Sequence, residues 1–421
     1  MKTTVELLRA DSRVSDWKIN MDHKQSYELF YVKGKLETVR CTDTCDQKVT
    51  IYVDHGEYKG DSQFFIYPST TEEQIKELIS ETVEKALLIN NRRYSLPGTE
   101  TGVFAVESNF ADYAPADLAA VVSKAVFAAN NVERADLNSV EVFINKHTEQ
   151  VQNSRGMNKT QTRYDAMVEA IPTYNGETQS VELYEQYNFN TLDEAAITLR
   201  IAEKLEEVKA RYEATLPENP LDCDVVLNRL ELGQLFMTIA SDLHYASVYS
   251  RSNLWSKGDL IQKECTADPI TITMCGEIQG SVRSTKFDDD GMSLGSICVV
   301  EKGKAANYYG SNRYGQYLNE VPTGDLRCIQ VAPGTASEPK GQYLEVVSMS
   351  GLQVDFFNDY IGGEIRLAYY HDGEKKIPVT GISISGSASQ VLNTIGLTKA
   401  LCVQGGYAGP EKAILKGMKI F

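Results

Sequence analysis

Thr323-Gly324-Asp325-Leu326-Arg327, Val331-Ala332-Pro333-Gly334, Val354-Asp355-Phe356-Phe357-Asn358-Asp359-Tyr360-Ile361-Gly362-Gly363, Ile377-Pro378-Val379-Thr380-Gly381-Ile382-Ser383-Ile384-Ser385-Gly386 and Gly409-Pro410-Glu411-Lys412-Ala413-Ile414-Leu415-Lys416-Gly417-Met418-Lys419-Ile420 follow one another in the last third of the chain. These are short β-rich pieces separated by glycines, the pattern of strands joined by turns. After Pro220 one helical period, roughly Leu230 to Tyr249, precedes this run of strands.

Further upstream the pattern changes. Tyr27, Leu29, Tyr31, then Val49, Ile51, Val53, then Phe64 and Ile66 alternate with polar residues, with Gly34, Gly56 and Gly60 at the turns. Period two predicts strands. Ser69-Thr70-Thr71-Glu72 reads as a capping box ahead of Ile75, Leu78, Ile79, Ala86 and Leu87 at helical spacing. Ala114-Pro115-Ala116-Asp117 opens a second helix, Val140 to Ile144 a strand, and Tyr164 to Pro172 another. Thr191-Leu192-Asp193-Glu194 reads as a second capping box, leading into Ile197, Ile201, Leu205 and Val208 on one helical face. Leu216-Pro217-Glu218-Asn219-Pro220 then breaks the chain, two prolines in four residues. The class is α+β, with N-terminal sheet-plus-helix units followed by a β-rich C-terminal domain. The expected divisions are 1–110, 111–220 and 221–421.

The 421 residues are 42% hydrophobic and 24% charged, as in an ordinary globular protein. No apolar run reaches the length of a membrane span, and Met1-Lys2-Thr3-Thr4-Val5-Glu6 lacks the apolar core of a secretory signal, so a cytoplasmic location is expected. The net charge is −16, from 42 basic and 58 acidic residues. Such a chain repels phosphate backbones, and no basic cluster with interleaved aromatics offsets this. No nucleic-acid partner and no membrane partner is expected.

The sequence is poor in catalytic patterns. Cys41 and Cys45 are close together, but Cys223, Cys265, Cys275, Cys298, Cys328 and Cys402 are scattered and no C-x-x-C occurs. Reduced, mostly buried thiols are expected. His23, His55, His147 and His371 have no second His or Cys at ligand spacing. Gly291-Met292-Ser293-Leu294-Gly295 fits G-x-S-x-G by letter, but an acidic turn precedes it and a strand follows, unlike a nucleophile elbow. Asp288-Asp289-Asp290-Gly291 lacks the remaining calcium-loop positions and reads as a solvated turn.

The order of these pieces resembles the TldD/TldE (PmbA) family of zinc-peptidase subunits. Gly34-Lys35-Leu36-Glu37-Thr38-Val39, Asp54-His55-Gly56-Glu57-Tyr58-Lys59-Gly60, Asn153-Ser154-Arg155-Gly156 and Asp224-Val225-Val226-Leu227 extend the resemblance over most of the chain. In the family's catalytic subunits a helix after the opening strand carries H-E-x-x-x-H. Its histidines bind zinc, its glutamate is the base, and a later cysteine completes the ligands. Here the corresponding helix reads Leu235-Phe236-Met237-Thr238-Ile239-Ala240-Ser241-Asp242-Leu243-His244, without that motif. Cys402 falls near the family's cysteine, but Val403-Gln404-Gly405-Gly406-Tyr407 after it matches poorly.

The resemblance implies the TldE type, a metal-free subunit of a two-subunit zinc metallopeptidase acting on peptides or unfolded segments. No cofactor is expected in this chain, and zinc is expected in a TldD-like partner. Partners would be that zinc-binding subunit, peptide substrates and, in the absence of a partner, a second copy. Tyr308 to Arg313 and Ser348 to Asp359 are the candidate docking or interface segments. The residues chosen are Tyr309, Asn312, Arg313, Ser348, Phe356, Phe357, Asn358, Asp359 and Tyr360. Two alternatives stay open: a scaffold or peptide-binding protein without a peptidase partner, and an enzyme using a metal site built from His244 and Cys402.

Overall fold

The computed structural model describes residues 2–129, 131–337 and 339–421. The N-terminal half is built on β1 (Asp16–Val32), β2 (Lys35–His55), β3 (Tyr58–Ile66), β4 (Thr101–Ala105), β5 (Ala135–Asn153), β6 (Asn158–Asn175), β7 (Ser180–Glu182) and β8 (Glu185–Phe189). They form one sheet in the order β3-β2-β1-β5-β6-β4, with β7 and β8 also on β6. The two sheet-plus-helix units anticipated from sequence share this sheet. β1 pairs β5 antiparallel from Lys18↔Asn153 to Val32↔Ser139, and β4 runs parallel to β6.

One face carries the helices. α1 (Lys2–Ala10) and α2 (Glu72–Ala86) cover Trp17, Ile19, Val49, Ile51, Val53, Phe64 and Ile66. α3 (Pro115–Ala128) and α4 (Glu194–Glu213) cover Val140, Val142, Ile144, Ala166, Val168 and Ala170. The alternation read from sequence thus puts one side chain in two under a helix. Both helix caps lie two residues later than expected, and only the first is a capping box. Thr71 and Gln74 form the box at α2, and Asp193 caps α4 by accepting the Ala196 N–H at 3.0 Å.

The chain leaves the first sheet at Glu213 and opens the second domain with Asp224–Asn228. There two sheets enclose α5 (Arg229–Asp242). One has the order Gly396–Leu397, Lys412–Leu415, Asp224–Asn228, Gln342–Met349, Tyr360–Asp372, Ile382–Gly386, Lys419–Ile420, with Gln353–Asp355 and Lys376–Val379 also on Tyr360–Asp372. The other has the order Lys304–Ala305, Ser296–Glu301, Ile272–Cys275, Cys328–Val331, Tyr407–Pro410, Leu401–Gln404. α5 touches both sheets, and the largest core of the molecule gathers around it. The helix expected over Leu230 to Tyr249 is two. α5 stops at Asp242, and α6 (Tyr245–Ser250) starts after an extended His244. Among the described residues no helix is long and apolar enough to cross a membrane.

Candidate functional site

α5 is the element on which a metal site would have to be built. Asn228 caps it, accepting the Leu230 N–H at 2.8 Å. Leu232, Leu235, Phe236, Ile239 and Ala240 are each fully buried, and Phe236 stacks on Tyr407 with ring centroids 6.4 Å apart. These side chains carry no donor atom for zinc; the buried carboxylate of α5 is Glu231, which burial pushes up to about 7, and one such group without a histidine does not make a zinc site.

His244 ends that helix and begins the next. Its Nδ1 accepts the Ala246 N–H at 3.2 Å, and its Nε2 lies 3.3 Å from Asp325 Oδ1. Its ring stands edge-on to Tyr309, and the Tyr245 N–H donates to the Tyr309 carbonyl at 2.7 Å. The hydrogen bond from His244 holds the Asp325 carboxyl below its ordinary range. Cys402 sits on the edge strand Leu401–Gln404, against the Pro410 carbonyl. Burial pushes its thiol up to about 11, away from the thiolate a metal needs. It borders a cavity of 480 Å³ lined by Thr271, Gln330, Val331, Pro333 and Ala408. His244 and Cys402 belong to no common ligand group among the described residues.

The acidic turn expected to be solvated is instead the hub of the domain junction. Asp288 is buried. Its Oδ1 accepts the N–H groups of Asp290 and Met292 at 2.9 and 3.0 Å, and its Oδ2 accepts that of Asp325 at 2.9 Å. Burial, with the neighbouring Asp290 charge, pushes its carboxyl up to about 6 against those donors. Gly291 and Gly324 have positive φ of 84° and 77°. A Cβ on Gly324 would lie 2.2 Å from a Leu294 methyl, so another residue here would have to displace that side chain and adopt a strained positive φ. The turn is pressed onto the open face of the first sheet. Lys18 pairs with Asp290, Asn20 donates to the Asp289 carbonyl at 2.8 Å, and Lys159 donates to the Gly291 carbonyl at 2.8 Å and to Ser293 Oγ at 2.7 Å. Phe287 packs with Val151, Met157 and Phe104.

The residues singled out from sequence divide between this junction and the surface. Tyr309 and Asn312 are buried within the chain. Asn312 and Arg313 open α7 (Asn312–Leu318), which clamps the segment before β4. Asn312 Nδ2 donates to the Ser95 carbonyl at 2.8 Å and Arg313 Nη2 to Asn91 Oδ1 at 2.6 Å, while the guanidinium lies over Tyr94, Tyr314 and Tyr317. Ser348 is half-buried in a strand, and Phe356 packs on Trp255 with centroids 5.0 Å apart. Phe357, Asn358, Asp359 and Tyr360 reach solvent, Phe357 being 66% exposed. Asp359, with φ of 51°, accepts from Ser387 Oγ and the Ser389 N–H, both at 2.7 Å, which fixes the turn.

A group not anticipated from sequence lies beside the junction. Asp22, His147 and Glu149 bring potential ligand atoms within 4.8 Å of one another. His147 Nε2 lies 3.0 Å from Asp165 and its Nδ1 3.4 Å from Asp22. Arg163 already holds Glu149 at 2.8 Å and Asp165 at 3.2 Å. With both ring nitrogens facing carboxylates, the group is arranged for an imidazolium. Burial opposes that charge, but the hydrogen bonds to Asp165 and Asp22 hold His147 above the ordinary imidazole range. Only alternation along paired β1, β5 and β6 could have revealed it, and the sequence alone does not give their register.

These features define a two-domain α+β protein whose second domain encloses an apolar helix between two sheets. Residues 220–420 match the PmbA/TldA metallopeptidase C-terminal domain. TldE from Thermococcus kodakarensis superposes with a TM-score of 0.79 at 15% identity over 99% of both chains. A protein described as a proposed modulator of a DNA gyrase from Thermotoga maritima gives 0.76 at 14% identity, over 100% of this chain and 99% of that one. A similar protein from Bacteroides thetaiotaomicron gives 0.74 at 13%, over 100% and 97%. These likenesses show a shared fold along the whole chain. No curated protein matches the sequence significantly.

Proposed function

We propose that this chain is the TldE-type, non-catalytic subunit of a two-subunit zinc metallopeptidase acting on peptides or unfolded segments. The observation that carries this reading is the apolar interior of α5 inside a metallopeptidase-family domain. The chain keeps the domain, but α5 carries no histidine and Glu231 is its one buried carboxylate, so this reading assigns the metal to another chain. The partner is a TldD-like subunit with H-E-x-x-x-H. The role of this chain is to complete the chamber around the substrate, with Phe357, Asn358, Asp359 and Tyr360 as the accessible docking or interface residues.

The test is co-expression with an H-E-x-x-x-H subunit and an unfolded-peptide hydrolysis assay. The pair hydrolyses peptide in a chelator-sensitive way, and this chain alone does not. Chelator-sensitive hydrolysis by the purified single chain would overturn the reading.

A further inference from the structure

The helix-bearing face of the first sheet has a gap. α1 and α2 cover the Trp17 and Ile19 end of β1, and α3 and α4 cover the Leu29 end. Gln25 and Tyr27 lie between, on the same face by period two. Gln25 stands opposite Asp43 on β2 and Lys146 on β5, and Lys146 stands opposite Tyr164 on β6. One row of side chains across four strands thus floors the gap. At ~4.8 Å per strand the row is about 14 Å long. The 3-10 turn Asn109–Asp112 and the start of α3 form a wall. The cavity between floor and wall measures 590 Å³ and is bordered by Tyr27, Phe110, Tyr113 and Tyr164. Small-molecule sites have this size and this aromatic make-up.

The two charges of the floor differ. Asp43 is engaged, with His23 Nε2 2.6 Å from its Oδ1 and Gln25 Nε2 donating to its Oδ2 at 3.0 Å. Lys146 is half-buried, and among the described residues it makes no hydrogen bond, ion pair or ring contact. The same holds for the hydroxyls and rings of Tyr27, Tyr113 and Tyr164, none of which bonds or stacks within the described chain. An ammonium half out of water and without a counter-charge attracts an anion, and a charge-assisted hydrogen bond from it is stronger than one in the open. The unstacked ring faces beside it accept a flat apolar body by offset or edge-on packing. An anion on an aromatic frame satisfies both. A cationic ligand would face Lys146, while the one carboxylate of the floor is already held by His23 and Gln25.

We propose that this slot binds an aromatic carboxylate, either a free acid or the C-terminal residue of a peptide. Lys146 donates to the carboxylate, and Tyr27, Tyr113 and Tyr164 hold the ring. The site lies wholly in the first domain and uses no residue of α5, so it stands or falls apart from the peptidase reading. Cys41, an exposed thiol opposite Tyr27, borders the same cavity and reports on its occupancy.

Calorimetric titration of the full chain tests this with 2-naphthylacetate as the free acid and acetyl-Gly-Gly-Phe as the peptide form, each against its own amide. At least one acid binds roughly tenfold tighter than its amide, and the acid with the larger margin identifies the source. Lys146→Met keeps the melting temperature and the affinity for the amide, and removes the margin of the acid. Tyr113→Ala, at an exposed ring, weakens acid and amide alike. The bound acid slows alkylation of Cys41 by iodoacetamide and leaves that of the exposed Cys265, remote in sequence, unchanged. Equal affinity of acid and amide in both pairs overturns the inference, as does no binding of either acid up to about 1 mM. An acid preference that survives Lys146→Met, or binding that leaves Cys41 as reactive as before, places the ligand elsewhere and also overturns it.

Discussion

His147 shows how a single residue couples the two halves of the first sheet, bonding across strands to Asp165 and Asp22. Its proton is held more tightly folded than unfolded, so its contribution to stability is full below about pH 6.5 and is lost as pH rises through the higher folded value. His147→Gln therefore lowers the melting temperature more at pH 6 than at pH 9. Glu345 works in the opposite direction. Burial alone would raise its carboxyl, but Lys412, His371 and Lys376 around it push it down to about 2. A depressed carboxyl stabilises above its unfolded value of 4.5, and that stability is lost as pH falls through about 2. Glu345→Gln should cost roughly 2–3 kcal/mol at pH 7, and the gap to the parent narrows in melts taken towards pH 3. Neither residue stands in a motif, because each gains its partners only when distant strands pair.

At the scale of elements, α5 and the Phe356 to Tyr360 turn behave differently under truncation. Phe236→Ala empties a site at the centre of the main core and should cost about 3–5 kcal/mol in denaturant melts. Phe357→Ala, on an exposed ring, should stay within about 0.5 kcal/mol of the parent and weaken assembly with the partner. The helical period of α5 was legible because its buried residues repeat at 3.6. The break at His244 was not, because Tyr245 is also buried and the apolar period runs on unbroken. What stops the helix is the backbone of Tyr309, which bridges His244 and takes the Tyr245 N–H. The misplaced capping boxes have a similar cause. Ser69 and Thr191 are competent caps by type, but the chain reaches helical geometry only after it clears the sheet.

For the whole molecule, the decisive feature is the docking of the 288–293 turn on the polar face of the first sheet. Lys159 is buried there, bonded to the turn and paired with Glu100. Lys159→Met leaves the Gly291 carbonyl and Ser293 without their donor, at a cost of about 1–3 kcal/mol. Limited proteolysis between Glu213 and Asp224 should accelerate in that variant, since the junction then opens more often. The surface as a whole carries a −16 charge. Duplex DNA should show no submicromolar binding at physiological salt, as a titration read by anisotropy would report.

The sequence by itself determined the α+β class, the alternating strands, the break at Leu216 to Pro220 and the resemblance to the PmbA/TldD family. All of these are carried by local period, turn chemistry and the order of short pieces along the chain. The tertiary structure alone decided that Asp288 is a buried hub and that Tyr309 and Asn312 are internal. Each of these depends on contacts between residues far apart in sequence. Asp288 and Asp325 meet across 37 positions, and Asn312 and Ser95 across 217. Burial and pairing at that range are set by how the sheets pack, and a run of three aspartates looks the same whether it faces water or another domain.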